Sequence, residues 1–291
     1  MSGGLAVQAN LLCVTWSAAQ GHVFLFDLEA QKRVSSWTLP PSPQGYSDAA
    51  GVAMNGHFHL FVADPHNDRV RHFSAFGRHL GDLGLAAPET GDVARDRAGV
   101  LDRPHAVAVF DGVVFVAAGD RPRRRGVQRF SERGELLRPL ASGGDPEAAF
   151  GAPRGVWADA EGILVADTLH GRVQRFRADG TFVAHLPVGA NGALARPVAV
   201  VRLRSGLVLV ADRGDDAGIR ALQPDGVRVG DATALQERCT EPLAMTRDRR
   251  DRIYVLDRGG ERVQRFHADL TFDGVVVDLA EHLDDWEPKT P

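Results

Sequence analysis

The chain has 291 residues, of which 44% are hydrophobic and 25% charged, with a formal net charge of −4. That balance is ordinary for a soluble globular protein and sets up no global field toward nucleic acid. No apolar run is long enough to cross a bilayer, and the N-terminus lacks the basic start and apolar core of a secretory signal, so a cytoplasmic setting and no membrane partner are expected. Lysine occurs only as Lys32 and Lys289, leaving arginine as 32 of the 34 basic residues. We read this bias as a compositional habit and not as a binding signal.

Taken in order, the chain divides into short strand runs separated by Gly, Asp and Asn turns. Residues 4–39 hold four such runs, at 5–8, 11–15, 22–27 and 33–39, and Pro40-Pro41-Ser42-Pro43 then breaks the pattern. Residues 51–80 form a second unit, with Asn55-Gly56 as its best hairpin turn. The long segment 81–103 reads as a surface loop, and 105–141 as a third unit carrying the basic run Asp120-Arg121-Pro122-Arg123-Arg124-Arg125. Residues 154–188 are the clearest copy. Runs at 154–158, 163–166, 172–176 and 181–186 are divided by Asp159-Ala160-Glu161-Gly162, the loop 168–171 and Ala178-Asp179-Gly180. Units at 198–230 and 243–279 follow. The acidic tail 280–291 reads as a short helical turn followed by disorder.

Three anchors align these units. A Pro-x-(Gly/Ala)-hydrophobic start appears at Pro104, Pro153, Pro197 and Pro242, with weaker copies around Gly4 and Ala49. A hydrophobic-Val-Ala-Asp run ends the next strand at Asp64, Asp167 and Asp212, with Val-Leu-Asp at Asp257. A Val-x-x-Phe strand recurs at 23–26, 70–73, 127–130, 173–176 and 263–266, with a variant at 219–222. Six copies at a period of roughly 45 to 55 residues match propeller blades, which bury their apolar faces only by stacking around an axis. The expected fold is therefore all-β, a six-bladed β-propeller of four-stranded antiparallel blades in one domain. No strand is left over, so the last blade should close directly on the first. Cys13 and Cys239 would be neighbours across that seam. Two free thiols are expected, with a seam disulfide as the alternative. The Val-Ala-Asp, Asn-x-Arg-Val and Val-Gln-Arg-Phe signatures resemble the NHL repeat family of six-bladed propellers, over nearly the whole chain.

In that architecture one face collects the starts of the first strands, the ends of the second strands and the loops after Val-Ala-Asp. It would gather His105, Arg154, Asp64, His66, Asp120, Arg121, Asp167, His170, Asp212, Arg213, Asp257 and Arg258 around the channel mouth. The plainer role of each repeat Asp is to accept hydrogen bonds from backbone N–H groups in the loop that follows it, with an Arg five residues later bracing the same loop. The small first-anchor residue suits a crowded inner strand. Pro104-His105-Ala106 resembles the element by which peptidyl-amidating lyases of this superfamily present zinc ligands. Those enzymes need three such histidines, and here the equivalent positions are Leu5, Ala50, His105, Arg154, Val198 and Leu243. Arg154 would repel a dication and suits phosphate, sulfate or a carboxylate instead. We match no cation-holding Glu, Asn and Asp trio of the kind found in senescence-marker-like lactonases. His57 and His59 alternate as on a strand, and packing or solvent is their plainer reading. The 121–125 loop has arginines suited to RNA but no aromatics of its own, and the net charge weighs against nucleic acid.

The expectation is a non-enzymatic NHL-type propeller, without metal or cofactor, presenting the channel-mouth face to a protein, a peptide or a small anionic ligand. His105, Arg154, His66, His170, Asp64, Asp167, Asp212 and Asp257 are its ligand-facing residues. The alternative is a hydrolase or lyase using His105 as general base and Arg154 as anion clamp.

Overall fold

The computed structural model describes residues 2–17, 20–41, 45–84, 99–119, 126–140, 146–186, 194–215, 217–224, 227, 233–259 and 261–283. Six antiparallel sheets follow one another along the chain, and within each the strands pair in sequence order. Five have four strands. The sheet at 197–222 has three among the described residues, and its expected fourth strand falls near 228–230, outside them. Helix is scarce: α1 (Thr233–Arg238) and α2 (Ala280–Leu283) are the α-helices among the described residues. The tail's expected helical turn corresponds to α2, while 284–291 lies outside the described residues.

The blade cores explain why this pattern becomes a ring. The second strands Leu60–Asp64, Gly162–Asp167, Val208–Asp212 and Ile253–Asp257 are buried at every position, because both sheet faces pack on neighbouring blades. Six hydrophobic clusters result, one at each blade interface. The cluster between the last and first blades joins Tyr254, Leu256, Val263 and Val277 to Leu12, Val14, Trp16 and Phe24. The inner strand Ser2–Gln8 pairs within its own blade, and Phe272–Asp278 within the last, so the ring closes directly, with side chains filling the seam.

The innermost strands converge closely enough to exclude side chains. A Cβ on Gly51 would fall 2.6 Å from Ala106 Cα, and one on Gly155 would fall 2.7 Å from Val198 O. The small first-anchor residue is therefore a requirement of inner-strand spacing.

Two turn expectations are corrected. Asn55-Gly56 is not a two-residue hairpin turn. The strands stop at Met54 and resume at Leu60, and Asn55 Oδ1 accepts the backbone N–H groups of His57 and His59 at 2.9 Å each, with Phe58 at φ 61°. The side-chain amide has organised a wider loop in place of a tight turn. Asp111-Gly112, with φ of 48° and 74°, is the two-residue hairpin instead. The segment 81–103 is also not wholly surface: Val100 and Leu101 are buried, and Gln128 bonds both Gly99 N and Val100 O.

Both cysteines are free and buried, and they pack in different interfaces. Cys13 faces the second blade and Cys239 lies between the fifth and sixth, so no seam disulfide forms. Burial raises both thiol pKa values, that of Cys239 to about 12. Neither thiolate forms near pH 8, so Ellman's reagent should titrate about zero thiols in the native protein and two after unfolding. Prompt labelling of the native protein would contradict this packing.

Candidate functional site

The repeat carboxylates are the most constrained groups on the face where the inner strands begin. Asp64, Asp167, Asp212 and Asp257 are 0–1% exposed. Their backbone donors come from the loop entering the blade, not from the loop following the Asp as expected. Asp64 accepts Asp48 N, Asp167 accepts Gly151 N and Ala152 N, Asp212 accepts Ala195 N and Arg196 N, and Asp257 accepts Glu241 N. The loop after the Asp contributes side chains: Asn67 Nδ2 reaches Asp64 at 2.8 Å, and His170 Nδ1 reaches Asp167 at 2.8 Å. Each carboxylate thus ties its blade to the preceding connection, and Asp64 and Asp167 also hold their own loops.

The bracing arginine was expected five residues after the Asp. Arg172 does approach Asp167, at 3.4 Å, but Arg69 bonds Asn67 O and Asp82 instead of Asp64. The closer brace sits seven residues on, in the Val-x-x-Phe strand. Arg71 Nε lies 2.9 Å from Asp64 Oδ2, and Gln174 Nε2 lies 3.1 Å from Asp167 Oδ2. Gln264, at the same position in the last blade, bonds Arg238 O at 2.7 Å. The recurring Val-Gln-Arg-Phe spelling was the available signal for this buried position.

His105 and Arg154 meet at the channel mouth. They come from adjacent blades, each just after the anchor proline, and Arg154 Nη1 lies 3.1 Å from His105 Nδ1. A guanidinium has no acceptor, so in this contact the imidazole Nδ1 is the acceptor. Both side chains border a channel cavity of about 60 Å³, lined mainly by inner-strand backbone.

The other expected face residues do not join them in one site. His66 is exposed and packs edge-on against Tyr46, with ring centroids 4.9 Å apart. His170 is held by Asp167. Arg258 lies 3.7 Å from Glu241. Asp120, Arg121 and the rest of that basic run lie outside the described residues. His57 and His59 lie in the loop before the second strand, not on a strand. His59 faces His72 at 3.0 Å, and His72 stacks on Phe61. Burial, with the neighbouring charges of His59 and His79, lowers the His72 pKa to about 4. Among the described residues, no three His, Cys, Asp or Glu form a group that could hold a metal ion.

The opposite end of the ring, where the inner strands finish, is more open. A cavity of about 340 Å³ sits under the channel, and one of about 690 Å³ lies between the fourth and fifth blades. They meet at Phe110, Asp159 and Arg247. Asp159 accepts Trp157 Nε1 at 2.7 Å and two guanidinium nitrogens of Arg202 from the next blade. Arg247 continues this chain by donating to Arg202 O at 2.7 Å and pairing with Asp251 at 3.0 Å. Sequence reading missed this network, because it joins side chains across three inner strands and only Arg202 and Arg247 share a repeat position.

These features define a β-propeller of six blades with direct closure. No family model matches the chain, and no curated protein matches it, so the likeness to NHL repeats rests on the motifs. Solved structures do match the fold. Virginiamycin B lyase from Staphylococcus aureus is 10% identical at a TM-score of 0.61, with 93% of this chain and 82% of that chain covered. A gluconolactonase from Xanthomonas campestris is 15% identical at 0.59, covering 87% and 82%. A chain of a nidogen/laminin complex is 16% identical at 0.57, covering 78% and 77%. At these identities the likeness is one of fold, and it spans lyase, lactonase and protein-binding propellers. No helix among the described residues is long and apolar enough to cross a membrane.

Proposed function

We propose that this propeller is a binding module that receives an anionic head group, such as a peptide carboxylate or a small organic acid, at the channel mouth between His105 and Arg154. The observation that carries this reading is the donor pairing of those two side chains from adjacent blades. A guanidinium presented at the channel mouth offers planar N–H donors well matched to an anionic oxygen. Size supports binding over turnover. A cavity of about 60 Å³ has room for only a few water molecules, at roughly 10–15 Å³ of accessible space each. It admits a head group but does not enclose a substrate, so the rest of any ligand must lie on the outer face. The repeat carboxylates serve this site indirectly, by fixing the loops that carry Arg154 and its neighbours.

Calorimetric titration with acetate, inorganic phosphate and a short peptide with a free C-terminus tests the reading. Arg154→Gln is expected to weaken binding by about tenfold or more, equivalent to 1.4 kcal/mol, while His105→Gln, which keeps an N–H donor, should weaken it less. Equal affinity in wild type and Arg154→Gln would refute the site. Hydrolysis or elimination on an ester and lactone panel, abolished by His105→Ala, would convert the assignment to an enzyme.

A further inference from the structure

The cleft between the fourth and fifth blades, at the far end of the ring from His105, combines three properties that point to a ligand. Its volume of about 690 Å³ lies inside the range of roughly 300–1,000 Å³ typical of small-molecule sites. Its floor is apolar: Leu164, Leu186, Leu203 and Val208 line it and are 1–3% exposed, so the cleft reaches down to the interface core. Its wall is cationic. Arg175 and Arg204 both line it, and neither side chain has a hydrogen bond or ion pair among the described residues.

The contrast with the other arginines of the same cleft is informative. Arg202 is satisfied by Asp159 and by Gly162 O, and Arg247 by Arg202 O and Asp251. Those two build a fixed rim and cancel the charge of Asp159. Arg175 is partly buried on the third strand of its blade, opposite Leu164 in the ladder. A guanidinium held against leucine side chains without a carboxylate is incompletely solvated, and an incoming anion would supply what it lacks. Arg204 reaches the cleft from the facing blade. Among the described residues Glu161 is the one lining acid outside the rim network, so their balance at the cleft favours anions. Phe110, 36% exposed at the junction with the cavity beneath the channel, offers an aromatic face to the body of a ligand.

We infer that this cleft is a second binding site, for a small organic anion with an apolar body whose carboxylate or phosphate is clamped between Arg175 and Arg204. The apolar body lies over Leu164, Leu203 and Val208 with its edge toward Phe110. This site shares no residue with the channel mouth, and it stands or falls independently of the function proposed there.

Titration with 2-naphthoate, 1-naphthyl phosphate and uncharged 2-naphthol tests it directly. At least one anion is expected to bind the wild type about tenfold or more tighter than the naphthol. The tighter of the two anions names the head group. Arg154→Gln, which removes the anion clamp proposed at the channel mouth, serves as the background, and in it Arg175→Gln and Arg204→Gln should each weaken that anion by about tenfold. In the same Arg154→Gln background Arg204→Glu, at an exposed position where the fold is not at risk, should abolish binding with no change in thermal midpoint. In the Arg154→Gln background, equal affinity for naphthol and the anions, retention of binding on adding Arg204→Glu, or no binding of any probe at millimolar concentration would overturn the inference.

Discussion

Asp64→Ala is expected to be among the most destabilising single substitutions in this protein, at about 4 kcal/mol. The Asp64 side chain is 0% exposed and that of Arg71, its partner at 2.9 Å, 5%. Removing the carboxylate strands a buried guanidinium charge and leaves Asp48 N without its acceptor, while Asn67 Nδ2 keeps Tyr46 O and Ser47 Oγ. Arg71→Gln should be much milder, about 1 kcal/mol, because Gln174 occupies the same register in the fourth blade and reaches Asp167 with an amide. Guanidinium chloride unfolding midpoints would measure both. Similar losses for the two variants would mean that the carboxylate is not the organising group. Loss of anion binding by Asp64→Ala without loss of stability would place Asp64 in the ligand site itself.

Trp16→Ala is expected to cost about 4 kcal/mol, the range for truncating a fully buried aromatic. Trp16 is 0% exposed in the cluster joining the first and last blades. Phe61, also 0% exposed, fills the interface between the second and third blades. Phe61→Ala should cost a similar amount, because a directly closed ring has no privileged interface. A Trp16→Ala loss below about 1 kcal/mol, beside a large loss for Phe61→Ala, would show that the seam contributes little to holding the ring.

The fold was legible because its signals repeat. Val-Ala-Asp and Val-x-x-Phe mark the second and third strands of each blade, and strands buried on both faces read as continuous apolar runs. Their spacing gave blade number and closure. What the residues did not disclose was direction across space. The repeat Asp lies in sequence next to the loop that follows it, yet its backbone donors lie 15 to 17 residues earlier. Asn55-Gly56 has the spelling of a tight turn, but the Asn side chain captured two backbone N–H groups and widened it. At the channel mouth, His105 and Arg154 were recognisable because both follow an anchor proline. The cleft between the fourth and fifth blades was not, since Arg175, Arg204 and Phe110 come from three blades and share no repeat position. Arg175 belongs to the recurring Val-Gln-Arg-Phe strand, but nothing in that repeat marks its pairing with Arg204 and Phe110 across blades.

The manner of closure sets how the molecule would respond to a mechanical load. A strand borrowed from the far end of the chain would have to be sheared out of its ladder, with several backbone hydrogen bonds breaking together. Here the first and last blades are each complete, and among the described residues the seam is spanned by side chains, Trp16 packing against the Tyr254 strand and Arg33 Nη1 reaching His282 O at 3.5 Å. Tension between the ends would peel that seam one contact at a time and then release whole blades in succession. Single-molecule extension should accordingly show a low first rupture force, followed by steps of about one blade's contour length, near 45 residues at ~3.5 Å each.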